Sequence, residues 1–154
     1  MCQKEFTQWL SLPYTIGDYL AGKFKEPKTD VNAPEFAEAE KAVTDKINKL
    51  LSIKGKRTVD SFHKELGLIM WDNVGMARNE AGLKEAINKI QALKKEFWKN
   101  VYVAGENGEF NQELEKALRL VDFFEIGELM ARDALNRNES CGGHFREEMQ
   151  TEEG

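Results

Sequence analysis

The sequence predicts an all-α protein, an antiparallel up-and-down helical bundle, and three observations support this class. Four segments repeat apolar residues at intervals of three and four, the period of an amphipathic helix. No segment of useful length alternates apolar and polar residues as a half-buried strand does. A length of 154 residues, 41% of them hydrophobic and 32% charged, suits one soluble domain with a real core. We predict three long core helices, one further helix packed against them and an N-terminal helical segment.

Residues 1–22 predict a helical segment that is attached only loosely to the bundle. No capping residue precedes its first apolar positions, so we expect the chain to start inside an element. Pro13 can open a second short helix within the segment. Its apolar side chains are Phe6, Trp9, Leu10, Ile16, Tyr19 and Leu20. Aromatic side chains this dense predict a partner surface, either the bundle or a larger domain.

A linker and the first bundle helix follow. The stretch from Lys23 to Pro34 is polar and carries two of the three prolines, so we place a linker at 23–33. The next helix is predicted over 34–52, opened by Pro34. Its apolar face consists of Phe36, Ala39, Val43, Ile47, Leu50 and Leu51.

Three helices, over 58–74, 82–102 and 110–136, are predicted to form the heart of the bundle and to complete a bundle domain over 34–136. Thr58 or Asp60 can cap the first of them. The last is apolar on two sides, which is typical of a central helix. Its two faces are Leu114, Ala117, Leu118, Val121 and Phe124 on one side and Leu120, Phe123, Ile126 and Met130 on the other.

A polar loop and tail over 137–154 close the chain. The segment Arg137-Asn-Glu-Ser-Cys-Gly-Gly-His-Phe-Arg146 contains two glycines, which permit positive φ or a close backbone approach. Such a loop normally packs on something. The simpler alternative is a helix C-cap followed by a solvated tail.

No catalytic, cofactor-binding or metal site is predicted in this chain. A Gly-x-Gly-x-x-Gly turn after a strand is missing, so no flavin or dinucleotide site is expected. Cys141 and His144 are three residues apart, but only His63 could join them, whereas a closed zinc site needs four ligands. For a Cys141–His144 nucleophile, the sequence supplies neither an oxyanion hole nor an orienting third residue. His63 itself is predicted to be a partly buried packing residue.

Charge and hydropathy exclude two classes of partner. A net charge of -5 without a long basic stripe argues against binding nucleic acid. No apolar run approaches the roughly 18 residues of a membrane span, so direct membrane insertion is not expected. Cys2 and Cys141 lie far apart without a repeated spacing, which predicts thiols in a reducing compartment. We expect a soluble, cytoplasmic protein.

The closing motif resembles that of a known family. Glu139-Ser140-x-Gly142-Gly143-His144-x-Arg146 is similar to the signature that closes the C-terminal helical domain of succinate dehydrogenase and fumarate reductase flavoprotein subunits. Cys141 and Glu147 stand where that family usually has Arg and Asp. Three further segments are similar to segments of the same subunits: Met70-Trp-Asp-Asn-Val-Gly75-Met-Ala-Arg78, Glu113 to Leu135, and Leu12-Pro-Tyr-Thr-Ile-Gly-Asp-Tyr-Leu-Ala21.

The resemblance implies that this chain is a non-catalytic fragment of an FAD-dependent oxidoreductase that interconverts succinate and fumarate. FAD would belong to the preceding flavin-binding domain, which residues 1–22 would leave. Implied partners are that domain, an iron-sulfur subunit and a membrane-anchor subunit, at the cytoplasmic face of the inner membrane. The resemblance implies an interdomain docking role for Arg78, Glu139, Ser140, His144 and Arg146.

Two other functions remain open from sequence. A free-standing helical module could bind a protein through its aromatic N-terminal segment. L-aspartate oxidase ends in a similar helical domain with a similar Glu-Ser-Arg-Gly-x-His turn. The residues that would distinguish this enzyme from succinate dehydrogenase and fumarate reductase lie upstream.

Overall fold

A computed structural model of the chain describes residues 16–22, 30, 32–105 and 110–150, and these residues confirm the helical class. Residues 16–22 belong to helix α1. The other helices are α2 (Pro34–Ser52), α3 (Val59–Val74), α4 (Glu80–Asn100), α5 (Gln112–Asn136) and a 3-10 turn, Glu147–Met149. The four two-residue strands are β1 (Arg57–Thr58), β2 (Ala77–Arg78), β3 (Val101–Tyr102) and β4 (Phe145–Arg146). None of these described helices combines the length and the apolar character needed to cross a bilayer.

The predicted helix bounds hold to within two residues, and side-chain caps explain where the helices begin. The backbone N–H of Ser61 donates to Thr58 Oγ1 at the start of α3, and that of Leu114 donates to Asn111 Oδ1 at the start of α5. The helix predicted over 82–102 begins two residues earlier because Asn79 caps it, accepting from Gly82 N–H. It also ends two residues earlier, since Val101 and Tyr102 leave it to form β3.

The core lies between α3, α4 and α5. Phe62 of α3, Phe97 of α4 and Phe124 of α5 are fully buried, and the ring of Phe97 lies 5.4 Å from Phe62 and 5.5 Å from Phe124. The apolar residues at helical spacing on α3 and α4 are buried. They consist of Val59, Phe62, Leu66, Ile69, Leu83, Ile87, Ile90, Phe97 and Val101, with Met70 partly buried beside them.

Polar contacts fix how α4 and α5 lie against each other. Gln91 Nε2 donates to Glu128 Oε1 at 2.8 Å, and Lys94 forms an ion pair with Glu125. Moving along α4 toward its C-terminus therefore means moving along α5 toward its N-terminus. The up-and-down topology of the whole bundle, including α1 and α2, stays a prediction.

Two predicted apolar faces are less buried than expected. On α2 only Leu50 is buried, whereas Phe36 and Val43 are 56% and 55% exposed. On α5 the first predicted face packs in the core, but the second is largely exposed at Phe123, Ile126 and Met130. The reason is that α3 and α4 cover only one side of α5. His63 is exposed rather than partly buried, and it stacks on Phe123 at 5.6 Å.

The N-terminal predictions are tested only in part. Phe6, Trp9, Leu10 and Pro13 lie outside the described residues, as does most of the predicted linker. Ile16, Tyr19 and Leu20 are each about half exposed on α1. The division of the chain at 22 and 33 stays a prediction.

The short strands were not predicted, and they join distant connectors. β1 pairs with β3 in parallel, with Arg57 opposite Val101. β2 pairs with β4 in parallel, with Ala77 opposite Phe145 and Arg78 opposite Arg146. The second pair brings the connector before α4 beside the loop that follows α5.

Replacing Gly55 with alanine is expected to destabilise the chain by about 2 kcal/mol or more. A Cβ at this position would lie 1.9 Å from the backbone oxygen of Asn100, so the backbone itself would have to move. The shift would also disturb the hydrogen bond from Gly55 N–H to Val101 O. Urea unfolding of the 154-residue chain measures the change.

The matched control is Gly67→Ala in helix α3. Nothing lies within 4 Å of a Cβ at Gly67, and alanine favours the helix, so we expect stabilisation by about 0.5–1 kcal/mol. Equal effects of the two substitutions would contradict the close backbone approach at Gly55.

Candidate docking site

The predicted docking residues meet at one end of the bundle. We call residues 137–150, which follow α5, the docking loop. Within it Cys141 and His144 exchange backbone hydrogen bonds of 2.9 and 3.2 Å around Gly142 and Gly143, forming a tight hairpin. Gly142 has a φ of 63°, the positive value that the glycine pair was expected to allow. Arg78 reaches the same place through β2.

Arg146 terminates helix α5 from inside the protein. It is 2% exposed, and its Nη1 donates to the carbonyl oxygens of Ala134, Leu135 and Arg137 at 3.1 to 3.2 Å. These carbonyls belong to the last turn and the cap, where no backbone N–H follows to bind them. The positive charge also lies at the negative end of the helix dipole. Arg146 Nε completes the arrangement by donating to Glu148 at 3.1 Å.

His144 connects Arg78 to the end of α5. Arg78 Nη1 lies 3.0 Å from His144 Nδ1, and His144 Nε2 lies 3.3 Å from the carbonyl oxygen of Arg137. A guanidinium only donates, so Nδ1 must accept and Nε2 must carry the proton that is donated to the carbonyl. The network therefore requires a neutral imidazole. His144 is 4% exposed, which isolates these bonds from water.

Burial and charge both keep His144 neutral. Burial lowers the pKa of His144 below its ordinary value, and the cations of Arg137, Arg78 and Arg146 lower it further, against the opposing hydrogen bond to the Arg137 carbonyl. Burial and the charge of Arg137 likewise lower the pKa of Arg78, opposed by Asp133. A second proton on His144 would place two cations in contact.

Acidification is expected to destabilise the chain through His144. Because its pKa is lower in the folded state, the unfolded state binds more protons, so stability is complete above the ordinary value of about 6.5 and falls as the pH drops below it. Urea unfolding at about pH 7.5 and about pH 5.5 measures the loss.

His144→Gln is the control, since glutamine keeps a polar side chain but does not titrate. Both chains retain His63 and the carboxylates. The pKa values of Glu96, Glu128 and Glu148 are lowered, so these carboxylates affect stability in more acidic solution than this comparison uses. The variant should be less sensitive to this pH change. An identical loss in both chains would contradict the role of His144.

The two remaining predicted residues differ from each other. Ser140 Oγ accepts from the backbone N–H of Arg146 and donates to the backbone oxygen of Arg146, each at 3.0 Å, so it fixes the loop internally. The Glu139 side chain is 57% exposed and forms an ion pair of 2.7 Å with Arg137. Glu139 is therefore the outward-facing member of the set.

Sequence reasoning missed several partners of this network. It gave Arg78 a docking role but did not predict that pairing of β2 with β4 brings Arg78 to His144. It also missed Glu147 and Glu148, which accept from Asn79 Nδ2 and from Glu80 N–H. A pattern could have suggested the cap at Asn79, but no local pattern predicts a contact across 66 residues.

The hydrogen bonds of the described docking loop are structural contacts within the chain. They contain no cluster of three or more His, Cys, Asp or Glu that could hold a metal ion. Cys141 is a thiol rather than half of a disulfide, and Cys2 lies outside the described part of the chain. What the network can do is hold the docking loop rigidly on the bundle.

Comparisons with known proteins agree with the resemblance seen in the sequence. Residues 63–153 match the family model described as the C-terminal part of the fumarate reductase flavoprotein. An uncharacterised FAD-dependent oxidoreductase of Methanocaldococcus jannaschii is 32% identical over 129 residues, which is 84% of this chain and 23% of that protein. The fumarate reductase flavoprotein subunit of Proteus vulgaris is 30% identical over 118 residues, 77% of this chain and 20% of that subunit.

A solved structure gives the same result for the fold. The Sdh1 complex of Mycobacterium smegmatis in the apo form matches with a TM-score of 0.68 and 30% identity, covering 86% of this chain and 21% of that one. The chain thus spans about one fifth of the length of these relatives. The family model alone covers more than half of the chain, and it includes α4, α5, all but the first turn of α3 and the described docking loop. The chain belongs to the family of C-terminal domains of fumarate reductase flavoproteins.

Proposed function

We propose that this chain is the C-terminal helical domain of a succinate dehydrogenase or fumarate reductase flavoprotein subunit, packed on the FAD-binding domain of the same subunit. The family match over residues 63–153 carries the proposal. Its relatives are about five times as long as the matched region, and they are flavoproteins by name. This chain supplies the helical part.

The parent subunit would be an FAD-dependent oxidoreductase that interconverts succinate and fumarate. FAD and the reacting groups would lie in the preceding domains, so the isolated chain is inactive. Electrons would pass to an iron-sulfur subunit and a membrane-anchor subunit, with the complex held at the cytoplasmic face of the inner membrane. The likeness to the Sdh1 complex supports these partners.

The five docking residues would then have two different roles, shaping the docking loop and contacting the partner domain. Ser140, His144 and Arg146 would hold the docking loop in shape, since their hydrogen bonds stay within this chain. Glu139 and Arg78 would make the contact itself. The rigid loop end supports this division, because a preorganised surface loses little entropy when it docks.

The first test is the size and flavin content of the native protein that an antibody against this chain detects. We expect a polypeptide several times heavier than 17.6 kDa that carries FAD. A flavin-free band at 17.6 kDa would overturn the proposal and leave a free-standing helical interaction module. The L-aspartate oxidase alternative is the weaker one, since the matching family model is that of fumarate reductase.

A second test uses the whole subunit with Arg146→Ala. Because Arg146 shapes the docking loop, the variant should retain FAD less well or lose interdomain packing. Normal assembly, flavin content and turnover would contradict the docking role. Arg119→Ala on the exposed side of α5 is the control, and it should change none of the three.

A further inference from the structure

Arg78 differs from every other arginine in the chain. The other five form ion pairs with carboxylates of this chain, whereas Arg78 forms none with any described residue. The ion pairs of these five arginines are Arg57 with Glu65 and Glu96, Arg119 with Glu115, Arg132 with Glu128, Arg137 with Glu139, and Arg146 with Glu148.

The bonds that Arg78 does make use two of its three guanidinium nitrogens. Nε donates to the carbonyl oxygen of Gly75 at 2.8 Å, and Nη1 donates to the neutral ring of His144 at 3.0 Å. Nη2 makes no hydrogen bond with any described residue. None of the buried side-chain nitrogens of the described residues lacks a partner, so Nη2 is not fully buried.

Among the described residues, no carboxylate forms an ion pair with this cation. Asp133 is near enough to act on Arg78, but the two do not form an ion pair, and the cation of Arg137 acts in the opposite direction. Arg78 is nevertheless half-buried. A half-buried guanidinium whose Nη2 has no partner among the described residues can still donate a charge-assisted hydrogen bond to a carboxylate.

Exposed apolar side chains lie on the two segments that pair at this end of the bundle, and on the turn that follows β4. Met76 is 75% exposed, and Phe145 and Met149 are each 39% exposed. Parallel pairing of β2 with β4 places Ala77 beside Phe145, so the apolar group continues across both strands. An arginine among methionine and aromatic side chains is the composition of an interface centre, where a few such residues carry most of the binding energy.

We propose that Arg78 is the charged anchor of the interdomain contact, binding a carboxylate on the flavin-binding domain while Met76, Phe145 and Met149 pack around the ion pair. The inference rests on the proposed function and names the chemistry of its partner. Charge complementarity is the reason for choosing an acidic partner. Although the net charge of the chain is -5, this cation forms no ion pair with any described carboxylate.

Zero-length cross-linking in the full-length subunit tests the pairing. Arg78→Lys keeps the charge and supplies an amine, which a carbodiimide joins only to a carboxylate in direct contact. Mass spectrometry should find Lys at position 78 joined to an Asp or Glu of the flavin-binding domain. The ion pair between Lys94 and Glu125 is the internal control for the coupling reaction. If that pair is joined while position 78 is joined only to Asp133 or to nothing, the inference is wrong.

Swapping the charges of Arg78 and its acidic partner by mutation distinguishes an interdomain anchor from a residue with a merely structural role. Arg78→Glu should speed hydrogen exchange at β2 and β4 in the full-length subunit by roughly tenfold or more, and changing the identified acid to arginine should restore slow exchange. Without restoration, Arg78 acts only within its own chain. A flavin-free native protein would instead contradict the proposed function. Failure of the Arg78 inference and failure of the proposed function can therefore be told apart.

Discussion

Replacing Arg146 with alanine is expected to lower the free energy of unfolding of the 154-residue chain by about 3–5 kcal/mol. The substitution removes the donor for three carbonyl oxygens at the end of α5 and leaves a cavity where a 2% exposed side chain stood. Each buried acceptor left without a partner costs about 1–3 kcal/mol. Urea or thermal unfolding of the purified chain measures the loss.

The control for Arg146 is Arg119→Ala on the same helix. The side chain of Arg119 is 68% exposed and pairs with Glu115 one turn away, so its removal should cost about 0.5 kcal/mol or less. Arg146→Lys should fall between the two, since an ammonium keeps the charge but not the guanidinium geometry. If Arg146→Ala cost no more than Arg119→Ala, solvent would have to satisfy the end of α5.

The Arg146 network explains how a loop full of polar groups can be rigid. The hairpin around Gly142 holds the backbone of the docking loop, and the hydrogen bonds of Ser140 hold its middle. The end of the loop is held by the 3-10 turn, whose glutamates bind the start of α4. The side chains that point inward satisfy the helix end, and those that remain outside are available to a partner. One loop therefore both caps α5 and presents a surface.

Helix positions could be predicted from the sequence because they depend on local rules. The apolar period places α3 and α4 on the core, and Thr58 and Asn111 mark helix starts through hydrogen bonds that span three residues. Whether a given helix face is buried does not follow from local rules, because it depends on which other elements pack on that face. Phe36 and Phe97 both lie on apolar helical stripes, yet one is exposed and the other buried. Phe97 packs between Phe62 and Phe124, whereas the α2 stripe is fully buried only near its C-terminal end, at Leu50.

The predicted docking residues also show the difference between features that the sequence predicts and features that depend on distant contacts. The polar composition and the resemblance together identified Glu139, Ser140, His144 and Arg146 as a group. They did not identify which of these side chains point inward, nor the position of Arg78. That position depends on pairing of β2 with β4, two residues each, and a two-residue strand has no sequence period to detect.

Replacing Phe97 with alanine is expected to cost about 3–5 kcal/mol, because the side chain is fully buried and joins all three core helices. Its ring makes edge-to-face contacts with Phe62 of α3 and Phe124 of α5, and a third with Trp98. Such aromatic pairs add to the loss of buried area. Phe97→Leu keeps most of the volume and should cost about 1.5 kcal/mol or less. Both values come from urea unfolding curves, with unchanged slopes showing that the unfolded state is the same.

Phe36→Ala makes the same chemical change on α2, where the side chain is 56% exposed. In the 154-residue chain it should cost less than about 1 kcal/mol, since little apolar surface returns to water and no cavity forms. The contrast with Phe97 tests the core assignment directly, because helical spacing alone would give the two phenylalanines equal weight. Similar losses at both positions would mean that α2 packs its whole apolar face on the bundle, and the exposed surface described for α2 and α5 would have to be withdrawn.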